Sequence, residues 1–385
     1  MKKFFLAVCL VFVSLSGKAI EVANLNPIEQ MKIPFAHFTK PMAFNITLPA
    51  TYHQNPDKRY VVLFDLHPRS QPYLSGMHDW LSHNGEWPML ESIIVTPTQY
   101  HAQFAKLFEQ TTKKPSDRKL LNFLQNHVLK TLDDNYRTNG FKIYSGFMSN
   151  AAIGLYALIN QPNMFNAYLI AAPTLANDFL NINSQFAAKV QSIKGKSRFL
   201  YLTIGQHRYE ADHIKGVKAL ESDLQKHQPT NLDWQVVTDA PEYYMSRPLM
   251  TVLHGIEKLF DDYHKNLTAD SAIAKQGVQA IIAYYNRLSN HKYGFEVSAQ
   301  GALKNLAVAL FEHNQVKSLA IYQQIVALYP ESAYAYADLA AVKFRLGDVN
   351  KAIELQRIAV DKSQSLSGWH QNRIKKTLND YLNRQ

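Results

Sequence analysis

Between about residues 42 and 262, short apolar runs rich in valine, isoleucine and tyrosine alternate with stretches whose apolar residues recur at helical spacing. The runs Phe44 to Leu48, Tyr60 to Phe64, Ser92 to Thr96, Lys142 to Ser145, Ala167 to Ala171, Phe199 to Ile204 and Trp234 to Val237 read as strands. Arg118 to Asn135, Ser149 to Ile159, Asp212 to His227 and Pro248 to His264 read as helices between them. Strands that alternate with helices predict a mostly parallel sheet with crossover helices, hence α/β architecture with ligands at the carboxyl ends of the strands.

From about residue 268 the strand signals vanish. Asn305 to Phe311 recurs 33 residues later as Asp338 to Phe344, and Val316, Tyr322 and Ile325 fall opposite Val349, Leu355 and Ile358. Paired helices at this period, with Tyr329-Pro330 at the join, resemble tetratricopeptide repeats. A plain helical bundle is the competing account. Two repeats are too few to stand alone, so they should lean on helices near Ala272 to Ser289 and Trp369 to Leu382, or on the α/β domain. The predicted fold class is therefore α/β followed by a smaller all-α helical-repeat domain. Its expected boundaries are 20–265 for the first domain, 266–298 for a helical linker and 299–385 for the repeats.

The amino-terminal pattern differs from both regimes. Met1-Lys2-Lys3 is basic, Phe4 to Leu15 is almost wholly apolar, and Gly17-Lys18-Ala19 offers small residues for cleavage, so residues 1–19 read as a signal peptide. The apolar run falls short of the ~20 residues a membrane span needs. Export to the periplasm or beyond is expected, with no integral span after cleavage. Cys9, the single cysteine, lies within this run, so the mature chain would hold no disulfide, thiol nucleophile or cysteine metal ligand. Losing Lys2, Lys3 and Lys18 with the leader lowers the formal net charge from +10 to +7. The remaining basic residues are scattered without an arginine-aromatic stripe, which argues against nucleic acid as a partner.

The candidate chemistry centres on Ile143-Tyr144-Ser145-Gly146-Phe147-Met148-Ser149-Asn150-Ala151-Ala152. A nucleophile elbow needs small residues two before and two after its apex, because backbones crowd there. With Met148 at the apex, Gly146 satisfies the first position and Asn150 replaces the second. With Ser149 at the apex, Phe147 would clash. Met148 is therefore the degenerate nucleophile position, since a thioether has no proton to surrender to a base. Ser149 is an alternative nucleophile, or else a cap of the helix that follows.

These residues and several others carry a resemblance to the enterochelin-esterase and esterase D-like branch of the α/β-hydrolases over residues 40–262. The matching segments include Phe44 to Tyr52, Tyr60 to Asp65, Leu132 to Gly140 leading into the elbow, Gln161 to Phe165 and Ala171 to Leu175. The resemblance implies an α/β-hydrolase-like sheet and a carboxylic-ester substrate class, siderophore esters included. It places Met148 at the serine of the motif, with Asn150 and Ala151 at its paired glycines. Leu66-His67 follow Asp65 where the family usually has glycine, and with Ser149 they form the expected oxyanion pocket. Tyr244 falls at the histidine, a degenerate base position, because a phenol of pKa ~10 is a poor base at neutral pH. Glu210 and Asp212 are available near the acid position, Glu210 being the candidate, though neither fits its spacing cleanly.

Two function classes follow. One is a pseudoenzyme that binds a small molecule in the former active-site pocket or a protein or peptide on the repeats. The other is an active carboxylic ester hydrolase that recruits Ser149 and a displaced histidine such as His67. His67, His78 and His83 share one region, but their spacing matches no ligand pair and no acid-rich run lies near, so no metal is expected. No phosphate loop or dinucleotide fingerprint is present, and no cofactor is expected.

Overall fold

The computed structural model describes residues 28–34, 40–83 and 88–384. The predicted signal peptide, Cys9 included, lies outside the described residues. Eight strands form one sheet in the order β1-β2-β4-β3-β5-β6-β7-β8. They are β1 Ile28–Ile33, β2 Met42–Thr47, β3 Tyr60–Asp65, β4 Ser92–Pro97, β5 Thr138–Phe147, β6 Ala167–Ala171, β7 Arg198–Thr203 and β8 Leu232–Val237. β2 runs antiparallel to both β1 and β4, and every pairing from β4 through β8 is parallel.

The central strands read clearly in the sequence because helices cover both faces of the sheet, and β3, β4, β6 and β7 are buried at every position. β1 is the strand that the apolar pattern missed. It lies at the sheet edge and turns Glu29, Gln30 and Lys32 outward and only Met31 and Ile33 inward, which dilutes the signal.

Two apolar cores lie on the two faces. One is built on Phe44, Phe64, Tyr144 and Phe165 and is covered by the helices Ser149–Asn160, Ile182–Val190 and Ala211–His227. The other starts at Val61, Leu63, Ile143 and Leu169, passes under the helix Arg247–Leu259 and continues without a break into the carboxyl-terminal helices. Those helices include the pairs Gln300–Phe311 with Gln315–Leu328 and Ala333–Arg345 with Val349–Lys362, closed by Gly368–Leu382. An aromatic joint couples the two regions: Phe141 of β5 packs against Phe260, Tyr293 and Phe295 with ring centroids 5.8 to 6.0 Å apart. The Tyr293 hydroxyl donates to the Leu259 carbonyl at 2.8 Å, and Lys292 pairs with Asp262 at 2.8 Å. The helical region thus leans on the sheet. No described helix is long and apolar enough to cross a membrane.

Candidate functional site

β5 ends at Phe147 and the helix Ser149–Asn160 begins two residues later, so Met148 alone makes the turn. Its backbone sits at φ 56°, ψ −121°, a conformation that costs a side-chain-bearing residue about 1–3 kcal/mol. Surrounding bonds hold it there. The Met148 N–H donates to the Ala171 carbonyl at 3.1 Å, and its carbonyl accepts from Ala152 at 3.0 Å and Thr174 at 3.2 Å. Gly146 shows why the apex is fixed at Met148: a Cβ there would lie 2.8 Å from the Asn150 carbonyl group and 2.9 Å from the Ala151 nitrogen.

Because those atoms are backbone, Gly146→Ala is expected to destabilise by about 1–3 kcal/mol. Gly76, exposed in the helix Ser70–His83, has nothing within 4 Å of a new Cβ. Gly76→Ala should be neutral to stabilising by up to about 1 kcal/mol. Urea midpoints of the two variants, moving in opposite directions, check the crowding argument.

Ser149 is the first residue of the helix and makes no cap bond, since the cap position belongs to Met148. The capping role expected for Ser149 is therefore corrected. Among the described residues no hydrogen bond joins Ser149 to an imidazole.

Tyr244, 96 residues from Met148, is brought against it, and its hydroxyl donates to the Met148 sulfur. Three rings wall this pair: Phe147 at 5.0 Å, His207 stacked at 5.2 Å and 17°, and Tyr209 at 5.4 Å. Burial first, then the nearby Glu210 carboxylate, push the Tyr244 phenol above its usual range. At neutral pH it is a proton-holding donor.

Glu210, which follows β7, is fully buried and accepts from the Gly205 amide at 2.9 Å and the His207 amide at 3.3 Å. Its partner is Arg247, itself 1% exposed, whose Nε lies 2.7 Å from Oε1. The guanidinium also reaches the Glu242 carboxylate at 3.2 Å and the carbonyls of Ala240 and Glu242 at 3.2 and 3.0 Å. Gly205 makes room for it, since a Cβ there would stand 2.0 Å from Arg247. The carboxylate is thus bound to an arginine, and Asp212 is solvent-exposed. His207, Tyr209 and Arg247 escaped the sequence reading; the dense run Gln206-His207-Arg208-Tyr209-Glu210 was the available signal.

At the end of β3, Asp65 accepts from the Ser145 hydroxyl and, at 2.7 Å, from the His67 amide. That amide, one of those expected to serve an oxyanion, is turned inward and occupied. Burial raises the Asp65 carboxyl to about 6, against the lowering effect of the Ser145, His67 and Ser70 hydrogen bonds. The His67 ring is engaged at both nitrogens: Nε2 meets the Tyr100 hydroxyl, and Nδ1 accepts from the Arg69 amide at 3.1 Å. Burial and the Arg69 charge lower its basicity. His78 Nε2 accepts from the Ser92 amide at 2.8 Å, a bond that ties its helix to β4, and the His83 side chain lies outside the described residues. Among the described residues no cluster of three His, Cys, Asp or Glu side chains is placed to hold a metal ion.

Beside the apex is an apolar cavity of about 220 Å³ walled by Phe44, Leu66, Phe104 and Phe108, with Ser149 and Asn150 at the helix start on one side. Leu66 and Ser149 both line this cavity, and the His67 side chain meets Tyr100.

This strand order, with a strained apex between the fifth strand and its helix, defines an α/β-hydrolase-like fold carrying a helical carboxyl-terminal region. The chain belongs to the putative esterase family, whose model matches residues 36–244. No curated protein matches it. Among solved structures it is similar to an IroE-like serine hydrolase from Shewanella oneidensis at 18% identity and TM-score 0.60, covering 79% of this chain and 100% of that one. An uncharacterised protein from Capnocytophaga ochracea is similar at 13% identity and TM-score 0.65, covering 93% and 99%. The BES protein from Bacillus cereus is similar at 16% identity and TM-score 0.51, covering 66% and 98%. At these identities the likeness concerns the fold.

Proposed function

We propose that this protein is an exported, non-hydrolytic binding protein built on an esterase frame. One observation carries the reading: the groups at the two positions where ester hydrolysis needs a nucleophile and a base are bonded to each other, the Tyr244 hydroxyl to the Met148 thioether. A thioether cannot form and release an acyl ester, and a phenol raised above its usual range does not take a proton at neutral pH. The inward-turned His67 amide and the Glu210–Arg247 pair support the same reading, because each occupies a group that a triad would keep available. The apolar cavity remains. At about 220 Å³ it is below the ~300 Å³ of ordinary drug-sized pockets, which suits a single acyl or aryl group. The carboxyl-terminal helix pairs are read as tetratricopeptide-like repeats offering a second surface to a protein or peptide.

The test is turnover of short acyl p-nitrophenyl esters by the chain lacking residues 1–19, beside Ser149→Ala. The expected rate is indistinguishable between the two proteins, at most the roughly 10³-fold over water that triad-stripped hydrolases retain. The double variant Met148→Ser, Tyr244→His should exceed both by at least about tenfold. Robust turnover that disappears in Ser149→Ala would establish the competing reading, a carboxylic ester hydrolase using Ser149 and a displaced histidine.

A further inference from the structure

The apolar cavity beside the Met148 apex is walled on one side by the helix Ala102–Lys113, which presents two rows of side chains. Leu107 and Thr111, one turn apart, are buried, and the Thr111 hydroxyl accepts from the Leu120 amide at 3.1 Å, which ties the helix to Lys119–Phe123. Phe104 and Phe108, also one turn apart, are only half-buried and line the cavity. Phe179 packs against this wall, its ring 6.1 Å from that of Phe108.

Phe179 belongs to the segment Ala176–Asn181, where left-handed backbone accumulates without a single glycine. Asn177, Asp178, Leu180 and Asn181 have φ of 54°, 52°, 58° and 55°. Side-chain-bearing residues enter this region singly, asparagine and aspartate most readily, and a leucine there is strained. Leu180 is nonetheless buried and holds the segment in the core beneath the cavity. Both ends are fixed: His213 Nδ1 accepts from the Leu175 and Ala176 amides at 3.4 and 3.2 Å, and the Asp178 carboxylate accepts from the Ser184 amide at 3.2 Å.

We infer that Ala176–Asn181 is a strained latch on the helix Ala102–Lys113, and that the two move outward together to admit a ligand, on the reading that this cavity binds an acyl or aryl group. Strained backbone of this kind collects at ligand clamps and switch segments, held only while its surroundings hold it. Leaving the closed state separates Phe179 from Phe108 and exposes Leu180. The release of four left-handed residues offsets part of that loss, so the opening stays local and does not spread into the sheet. The fixed ends set the range of the movement, with His213 at one and the start of the helix Ile182–Val190 at the other.

Asn177 lets the strain be changed without touching a packed contact, since it is exposed and its side chain makes no hydrogen bond among the described residues. Asn177→Val puts a β-branched residue into the left-handed region, whereas Asn177→Gly removes the same side chain without steric penalty. Amide hydrogen exchange is followed on the chain lacking residues 1–19. Residues 102–113 and 176–181 should exchange as one unit, roughly tenfold faster in Asn177→Val and within about twofold of wild type in Asn177→Gly. The buried helix Ser149–Asn160 should be unchanged in all three proteins, which separates latch opening from global unfolding. The probe for entry is 2-naphthol, a neutral ring pair small enough for about 220 Å³, given that a cavity of about 150 Å³ accepts benzene. In stopped-flow fluorescence Asn177→Val should take up and release it faster by one common factor, leaving affinity unchanged, and bound probe should slow exchange in both segments. Independent exchange of the two segments, or a valine effect no larger than the glycine effect, would overturn the latch. Uptake of the probe at one rate in all three proteins would also overturn it while leaving the cavity's binding role intact. Coupled exchange with the valine shift but no bound probe would keep the latch and remove the acyl- or aryl-binding reading.

Discussion

Replacing Arg247 with methionine is expected to destabilise the protein by about 3–5 kcal/mol, the usual cost of stranding one partner of a buried ion pair. Both members are buried, and the guanidinium is the cation against the Glu210 carboxylate. In the variant that carboxylate keeps the Gly205 and His207 amides and loses its counter-charge. The prediction carries its own control. Glu210→Gln in the same chain keeps an oxygen for the Gly205 amide, gives up the longer bond from the His207 amide and leaves no charge behind, so the double variant should recover about half of the loss. Urea unfolding of the four proteins of this cycle measures the coupling. A double variant no more stable than Arg247→Met would mean that the arginine acts through its packing and its carbonyl contacts alone.

That pair also marks where the sequence stops being readable. Gly146 two residues ahead of Met148 locates the apex, because the crowding that demands a small residue is local. The same holds for the buried central strands, whose continuous apolar runs need no knowledge of their neighbours. Arg247 gives no such sign. It stands directly before Pro248 at a helix start, where an arginine ordinarily faces water, and only the folded sheet brings it to a carboxylate 37 residues away. His67 fails for a related reason: a loop histidine near a pocket mouth is a reasonable candidate base until Tyr100, from a different loop, is found bonded to it. The helices Ser70–His83 and Ala102–Lys113 were missed on weaker grounds, the first holding Pro72 and Gly76 and the second starting without a capping side-chain bond. The Met148–Tyr244 contact belongs to both kinds. Each residue stands out locally against a family pattern, but the fact that they bond to one another is a property of the fold.

The frame beneath the apex keeps a feature that a purely structural core would not need, and it should be visible in the pH dependence of stability. Asp65 is fully buried, and burial raises its carboxyl from 3.8 to about 6. Between those values the native state binds more protons than the unfolded chain, so stability must fall as pH rises. At 1.36 kcal/mol per unit, the loss attributable to Asp65 is about 3 kcal/mol, developed between about pH 4 and pH 6 and constant above. Asp65→Asn removes the titration while keeping an oxygen for the His67 amide and an NH₂ group toward the Ser145 hydroxyl. Any change in hydrogen-bond quality shifts its stability equally at every pH. The difference between variant and wild type should therefore move in favour of the variant by about 2 kcal/mol from pH 4 to pH 7, the unfolded carboxyl being already half ionised at the lower limit, with other carboxyl groups cancelling in the comparison. Denaturant titrations at half-unit steps would show it. A difference that stays flat across this range would mean that Asp65 is ionised at pH 4 in the folded protein. In that case the hydrogen bonds from Ser145, Ser70 and the His67 amide, rather than desolvation, would govern the ground beneath the elbow.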